Sequence, residues 1–137
     1  MSPTERTADA RTGPQLALVW YGLGLSMLIG VLVLSLIPMP NTGVNDKVSH
    51  LVVYFLLAGW FGLLAGSRSV LLWTLVAVIA YGGLIELLQA MTTYRHADWA
   101  DLLADAIGAV GGICLHFTPL RSLLLFVDRG LVQVFKS

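Results

Sequence analysis

Val70-Leu-Leu-Trp-Thr-Leu-Val-Ala-Val-Ile-Ala-Tyr-Gly-Gly-Leu-Ile-Glu86-Leu-Leu-Gln89-Ala-Met91 is the stretch whose reading decides the fold. It carries no charge before Glu86. At about 1.5 Å of rise per residue, it is near the roughly 20 residues that a helix needs to cross a hydrocarbon core of about 30 Å. Three more apolar stretches of similar length flank it: Gln15 to Ile37, ended by Pro38 and Pro40; Lys47 to Gly66; and Asp98 to Phe117, ended by Pro119. Open strands would leave backbone groups unsatisfied in lipid, so the spanning element is the helix.

Composition agrees. Of 137 residues, 57% are hydrophobic and 12% charged, more apolar surface than a soluble domain of this size can hide. The connections, Pro38 to Asp46, Ser67 to Ser69 and Thr92 to Ala97, are short enough to make successive helices antiparallel neighbours. The expected fold class is therefore all-α integral membrane, a four-transmembrane-helix up-down bundle. Residues 1–14 read as a disordered cytoplasmic amino terminus, 15–118 as the membrane domain and 119–137 as a cytoplasmic-side tail. In that tail apolar residues alternate with Arg121, Asp128, Arg129 and Lys136, which predicts a short interfacial helix rather than a fifth span. The first span exceeds the roughly 7 to 15 apolar residues of a cleavable signal and is read as a retained anchor.

Eight basic residues balance eight acidic ones and no cationic run is present, so nucleic acid is not an expected partner. Cys114 is single and lies in an apolar stretch, where it reads as a small buried hydrophobe. Orientation follows from Lys and Arg in the short loops. Arg6, Arg11, Arg68, Arg121, Arg129 and Lys136 fall on one side, and only Lys47 and Arg95 on the other. Both termini are expected in the cytoplasm, with the first and third connections outside.

This arrangement gathers ionisable residues at the outer face. Asp46, Lys47 and His50 begin the second span, Glu86 and Gln89 end the third, and Arg95, Asp98, Asp101 and Asp105 lead into the fourth. A carboxylate at mid-helix costs about 2.5 to 3.5 kcal/mol on insertion scales, so such residues turn away from lipid. Their spacing permits it. At about 100° per residue, Asp98, Asp101 and Asp105 lie within about 60° of one another, as do Lys47, His50 and Tyr54. Three polar stripes at one depth predict a shared pocket. Ala104, Gly108 and Gly112 on the fourth span, with Ala58, Gly62 and Gly66 on the second, predict close packing of those two helices.

Asp46-Lys47-Val-Ser-His50-Leu-Val-Val-Tyr54, Glu86-Leu-Leu-Gln89 and Arg95-His-Ala-Asp98-Trp-Ala-Asp101-Leu-Leu-Ala-Asp105-Ala-Ile-Gly108 together resemble the signature of the VanZ-like membrane proteins. The resemblance covers about Asn45 to Gly112. It implies a multi-pass protein of the bacterial cytoplasmic membrane, in a family whose founding member is associated with low-level resistance to the glycopeptide teicoplanin. Many members carry Asn where this chain has Asp105, and the segment from Ala90 to Tyr94 lacks a proline often found there.

Two classes of function follow. In the first, the pocket binds or acts on an envelope amphiphile, a lipid-linked cell-wall precursor or lipoglycopeptide reached among membrane lipids. His50, Glu86 and Asp101 are then the catalytic candidates, and Lys47, Tyr54, Gln89, Arg95, Asp98 and Asp105 the ligand-binding ones. A divalent cation is the candidate cofactor, because the carboxylates outnumber the cations and no activated Ser or Cys nucleophile is evident. In the second class the same residues form a proton or cation relay, for which four short helices favour a homo-oligomer, or a structural network that sets helix register.

Overall fold

A computed structural model describes residues 13–38, 45–94 and 98–136. The described residues form helices without any strand: α1 (Ala17–Leu36), α2 (Asp46–Leu64), α3 (Arg68–Ala90), α4 (Trp99–Ile113), a 3₁₀ turn (Cys114–Phe117) and α5 (Pro119–Lys136). The first three, and α4 with its 3₁₀ turn, are long and apolar enough to cross a membrane.

Local chemistry sets the boundaries. The Asn45 side chain accepts from the Lys47 N–H at 3.0 Å to start α2, and Asp98 Oδ1 accepts from the Ala100 N–H at 2.9 Å to start α4. Ser67 Oγ accepts from the Val70 N–H at 3.2 Å, which brings the start of α3 back from the expected Val70 to Arg68. Ile37 and Thr118 are extended because each precedes a proline, which disfavours helical backbone at that position.

Helices α2 and α4 form the centre, and their approach is set by glycine. A Cβ on Gly108 would run into the Leu51 carbonyl oxygen, and one on Gly112 into that of Phe55. The expected close contact is thus present, but its register on α2 differs. The close-approach face of α2 runs through Leu51, Phe55 and Gly59, with Gly62 against Ile113. Ala58 lies beside that face, in a buried cluster with Tyr54, Leu57, Val78 and Ala109 of α4. Residues 58 and 59 differ by about 100° around a helix, and both are small, so side-chain size alone does not choose between them.

Helix α1 is peripheral: Gly24 is its one buried residue, and Leu18, Leu25, Ile29 and Leu34 are exposed, as lipid-facing positions should be. Polar ties hold it to the bundle. Tyr81 Oη donates to the Leu28 carbonyl, Trp60 Nε1 to the Trp20 carbonyl at 3.1 Å, and Tyr94 Oη to the Leu36 carbonyl. At the far end α5 returns to α1. Asp128, 1% exposed, accepts from the Gln15 N–H at 2.6 Å, the Leu16 N–H at 2.9 Å and Trp20 Nε1 at 2.8 Å. It caps amides that would otherwise be unpaired at the start of a membrane helix. The tail thus contributes a specific anchor as well as apolar surface. Cys114 differs from its expected burial: it is exposed, with Sγ donating to the Val110 carbonyl at 3.3 Å.

Candidate functional site

The antiparallel order brings the start of α2, the end of α3 and the start of α4 to one end of the bundle, opposite the Asp128 anchor. Most of the ionisable side chains from these three helices meet there, in a gradient of burial. At the rim the Lys47 ammonium donates to Asp98 Oδ2 at 2.7 Å and to Asp101 Oδ1 at 2.9 Å. The side chains of Lys47 and Asp98 are each about half exposed, so this bridge is worth little in stability. The Lys47 ammonium and the Ala100 N–H hold the Asp98 carboxyl below the usual carboxylate range.

Deeper in, His50 is the hub. Its Nδ1 lies 2.9 Å from Asp105 Oδ1 and 4.0 Å from Glu86 Oε1, and its Nε2 lies 4.0 Å from Asp101 Oδ2. Three carboxylates from two helices therefore surround one imidazole. Glu86 also ties α3 to α4, its Oε2 accepting from the Asp98 N–H at 3.0 Å. Tyr54 lies parallel to the His50 ring, with centroids 6.4 Å apart. Within this layer the Tyr54 hydroxyl, Glu86 Oε1 and Asp105 Oδ2 are buried without a hydrogen-bond partner among the described residues. Native interiors contain few such atoms, and those present call for an explanation.

The sequence-predicted residues divide as follows. Lys47, His50, Tyr54, Glu86, Asp98, Asp101 and Asp105 come together. Gln89 is buried near the cluster but its Nε2 donates to the Ser35 carbonyl at 3.0 Å, which ties α3 to α1. Arg95 lies outside the described residues. Sequence reading missed Gly82: a Cβ there would sit 2.6 Å from Asp105 Oδ2 and 3.1 Å from Tyr54 Cε1, so its lack of a side chain makes room for the carboxylate. The Gly82-Gly83 pair one turn before Glu86 was the available signal.

A groove of about 340 Å³ opens between α3 and α4 beside this cluster. Its walls are mostly apolar, with Leu87, Trp99 and Leu102 among them, and Glu86 and Asp98 are its polar members. Leu87 and Trp99 are strongly exposed, so the groove faces outward from the bundle, toward lipid.

The VanZ/LLP1 family model matches residues 26–123, most of the chain and every helix that contributes to the cluster. The chain belongs to the VanZ/LLP1 family. This agrees with the D-K-x-x-H, E-x-x-Q and R-x-x-x-x-x-D segments, which supply Lys47 and His50, Glu86, and Asp98 and Asp101 of the converging side chains. A curated relative is the uncharacterized protein C11E3.10 of Schizosaccharomyces pombe, 36% identical over 84 residues. That alignment covers 58% of this chain and 49% of the relative, so the chain spans about half the length of the protein it matches. No solved structure matches the chain.

Proposed function

We propose that this VanZ/LLP1-family protein binds and acts on the polar headgroup of a membrane amphiphile, a lipid-linked phosphate or a lipid-bearing glycopeptide. The observation that carries this reading is the double placement of Glu86. One of its oxygens stands in the buried cluster opposite His50, and the residue is also among those that line the outward groove between α3 and α4. A ligand using both features needs a polar head to meet His50 and an apolar chain to lie along Leu87, Trp99 and Leu102. A headgroup entering from the side would exchange its hydration for contacts made ready by three helices.

In this reading Lys47, with Arg95 as its expected companion, attracts an anionic group at the rim. His50 moves a proton at Nε2, which faces Asp101, Asp105 holds the ring at Nδ1, and Glu86 completes the polar set. Asp98 and Tyr54 shape the mouth and floor, and Gln89 braces α3 against α1 through the Ser35 carbonyl. The Lys and Arg distribution supports an outward-facing pocket with both termini in the cytoplasm. A role in glycopeptide resistance of a bacterial envelope is the phenotype that fits such a ligand.

Native mass spectrometry tests the reading on protein extracted gently from its own membrane. A specific, phosphate- or glycan-bearing amphiphile should remain bound to the wild type and be lost from His50→Ala and Asp101→Asn variants that insert and melt normally. Identical lipid adducts in all three proteins would sink the proposal in favour of a relay or a structural network.

A further inference from the structure

We infer that His50, Glu86 and Asp105 form a binding site for one divalent first-row transition ion, of the zinc or manganese class. The inference goes beyond the headgroup reading and rests on the cluster alone. His50 Nδ1, a Glu86 oxygen and an Asp105 oxygen come from three different helices and all lie within 4.8 Å of one another. Donors held about 2.1 Å from a common ion stand roughly 3.0 to 3.4 Å apart at octahedral or tetrahedral angles. The observed separations from Nδ1, 2.9 Å to Asp105 and 4.0 Å to Glu86, bracket that range. Small rotations of the two carboxylates would close the site.

The second observation is independent of this proximity. Glu86 and Asp105 are 6% and 0% exposed, yet Glu86 Oε1 and Asp105 Oδ2 have no donor among the described residues. An ionised carboxylate oxygen in such a place is expensive unless a cation meets it. Two carboxylates with a neutral imidazole carry two negative charges, which a dication cancels. Gly82 leaves the space that keeps Asp105 Oδ2 in place.

The neighbouring group of Asp46, His50 and Asp101 is also within reach of a common ion, but it is the weaker candidate. Asp46 is exposed, and Asp101 Oδ1 is already engaged by the Lys47 ammonium at 2.9 Å, a cation that would repel a second one. Donor chemistry selects the class of ion. An imidazole nitrogen with two carboxylates suits zinc, manganese or ferrous iron, whereas calcium and magnesium favour all-oxygen sets with more ligands. With Nδ1 on the ion, Nε2 carries the proton and faces Asp101 Oδ2 across 4.0 Å, a gap one water spans. Three protein ligands leave at least one position for water or a ligand oxygen.

The test uses the full chain in detergent with a tag free of histidine. Protein stripped with EDTA, reloaded with Zn²⁺ or Mn²⁺ and freed of excess ion should retain about one ion per chain by elemental analysis. Asp105→Asn and Glu86→Gln should weaken retention at least tenfold, while Asp46→Asn should leave it unchanged. Pulsed electron paramagnetic resonance of Mn²⁺-loaded wild type should show coupling to one imidazole nitrogen, a readout that does not depend on variants folding. Failure of monodisperse wild-type protein to retain either ion overturns the inference, as does loss of binding in Asp46→Asn with retention in Asp105→Asn. Neither result bears on whether an amphiphile is retained, so the two proposals fail separately.

Discussion

Replacing Gly108 or Gly112 by alanine tests whether the α2–α4 contact is backbone against backbone. At Gly108 the added methyl would overlap the Leu51 carbonyl oxygen and stand 3.0 Å from the Leu51 carbonyl carbon. At Gly112 it would overlap the Phe55 carbonyl oxygen and stand 2.8 Å from the Gly59 nitrogen. These neighbours are helix backbone and cannot rotate away, so the helices must separate by most of an ångström. Overpacking of this kind costs about 1 to 3 kcal/mol. Gly83→Ala is the control, because its nearest neighbour is a Leu102 methyl at 4.0 Å. That change should be neutral or gain up to about 1 kcal/mol from helix propensity. The double Gly108→Ala/Gly112→Ala variant should lose less than the sum of the singles, because one retreat of α4 relieves both overlaps. Denaturant titration in micelles, followed by tryptophan fluorescence, reads all four variants. If Gly108→Ala and Gly83→Ala unfold together, the close approach of α2 and α4 is wrong.

Gly82→Ala should insert normally but displace Asp105 or Tyr54, lowering ion retention at least tenfold while Gly83→Ala leaves it unchanged; elemental analysis of loaded protein checks this. Asp128→Asn should destabilise α1 by about 1.5 to 3 kcal/mol, the range for hydrogen bonds to a charged group, and speed hydrogen exchange at Leu16. Burial alone would push the Asp128 carboxyl up, but the Leu16 and Gln15 amides and the Trp20 indole outweigh it and hold it below the usual range. Its contribution should therefore be full above about pH 4 and vanish as pH falls through the lowered value, closing the gap between wild type and Asp128→Asn. In a Cys114→Ser background, Thr92→Cys should react with an impermeant thiol reagent in intact cells; reaction only after the cytoplasm is opened would invert the topology.

The spans were legible because hydropathy and length act over about 20 residues and forgive local error. The site was legible because charges three, four and seven apart must share a helix face in lipid. What the sequence left open depends on tertiary partners. Glu86 and Gln89, three apart, are about 60° from coincidence, enough for Glu86 to face α4 while Gln89 reaches Ser35 on α1. Asp128 looked like one more charge on an amphipathic tail. Its partners are the main-chain amides of Gln15 and Leu16, 113 and 112 residues away, and a backbone N–H carries no side-chain signature.

The burial gradient of the cluster argues against a purely structural role. A network kept to set helix register would be expected to satisfy its own atoms, since a half-satisfied polar network is worse than an apolar core of the same volume. Here satisfaction runs the wrong way. The exposed end is well paired, with Lys47 shared by Asp98 and Asp101, whereas deeper in Glu86 Oε1 and Asp105 Oδ2 have no donor among the described residues. Helix contact in this region is already secured by Gly108 and Gly112 against α2, which needs no charge. The polar residues therefore add expense where packing is complete. The groove reaches the same residue, Glu86, from the lipid side, as the proposed headgroup reading requires.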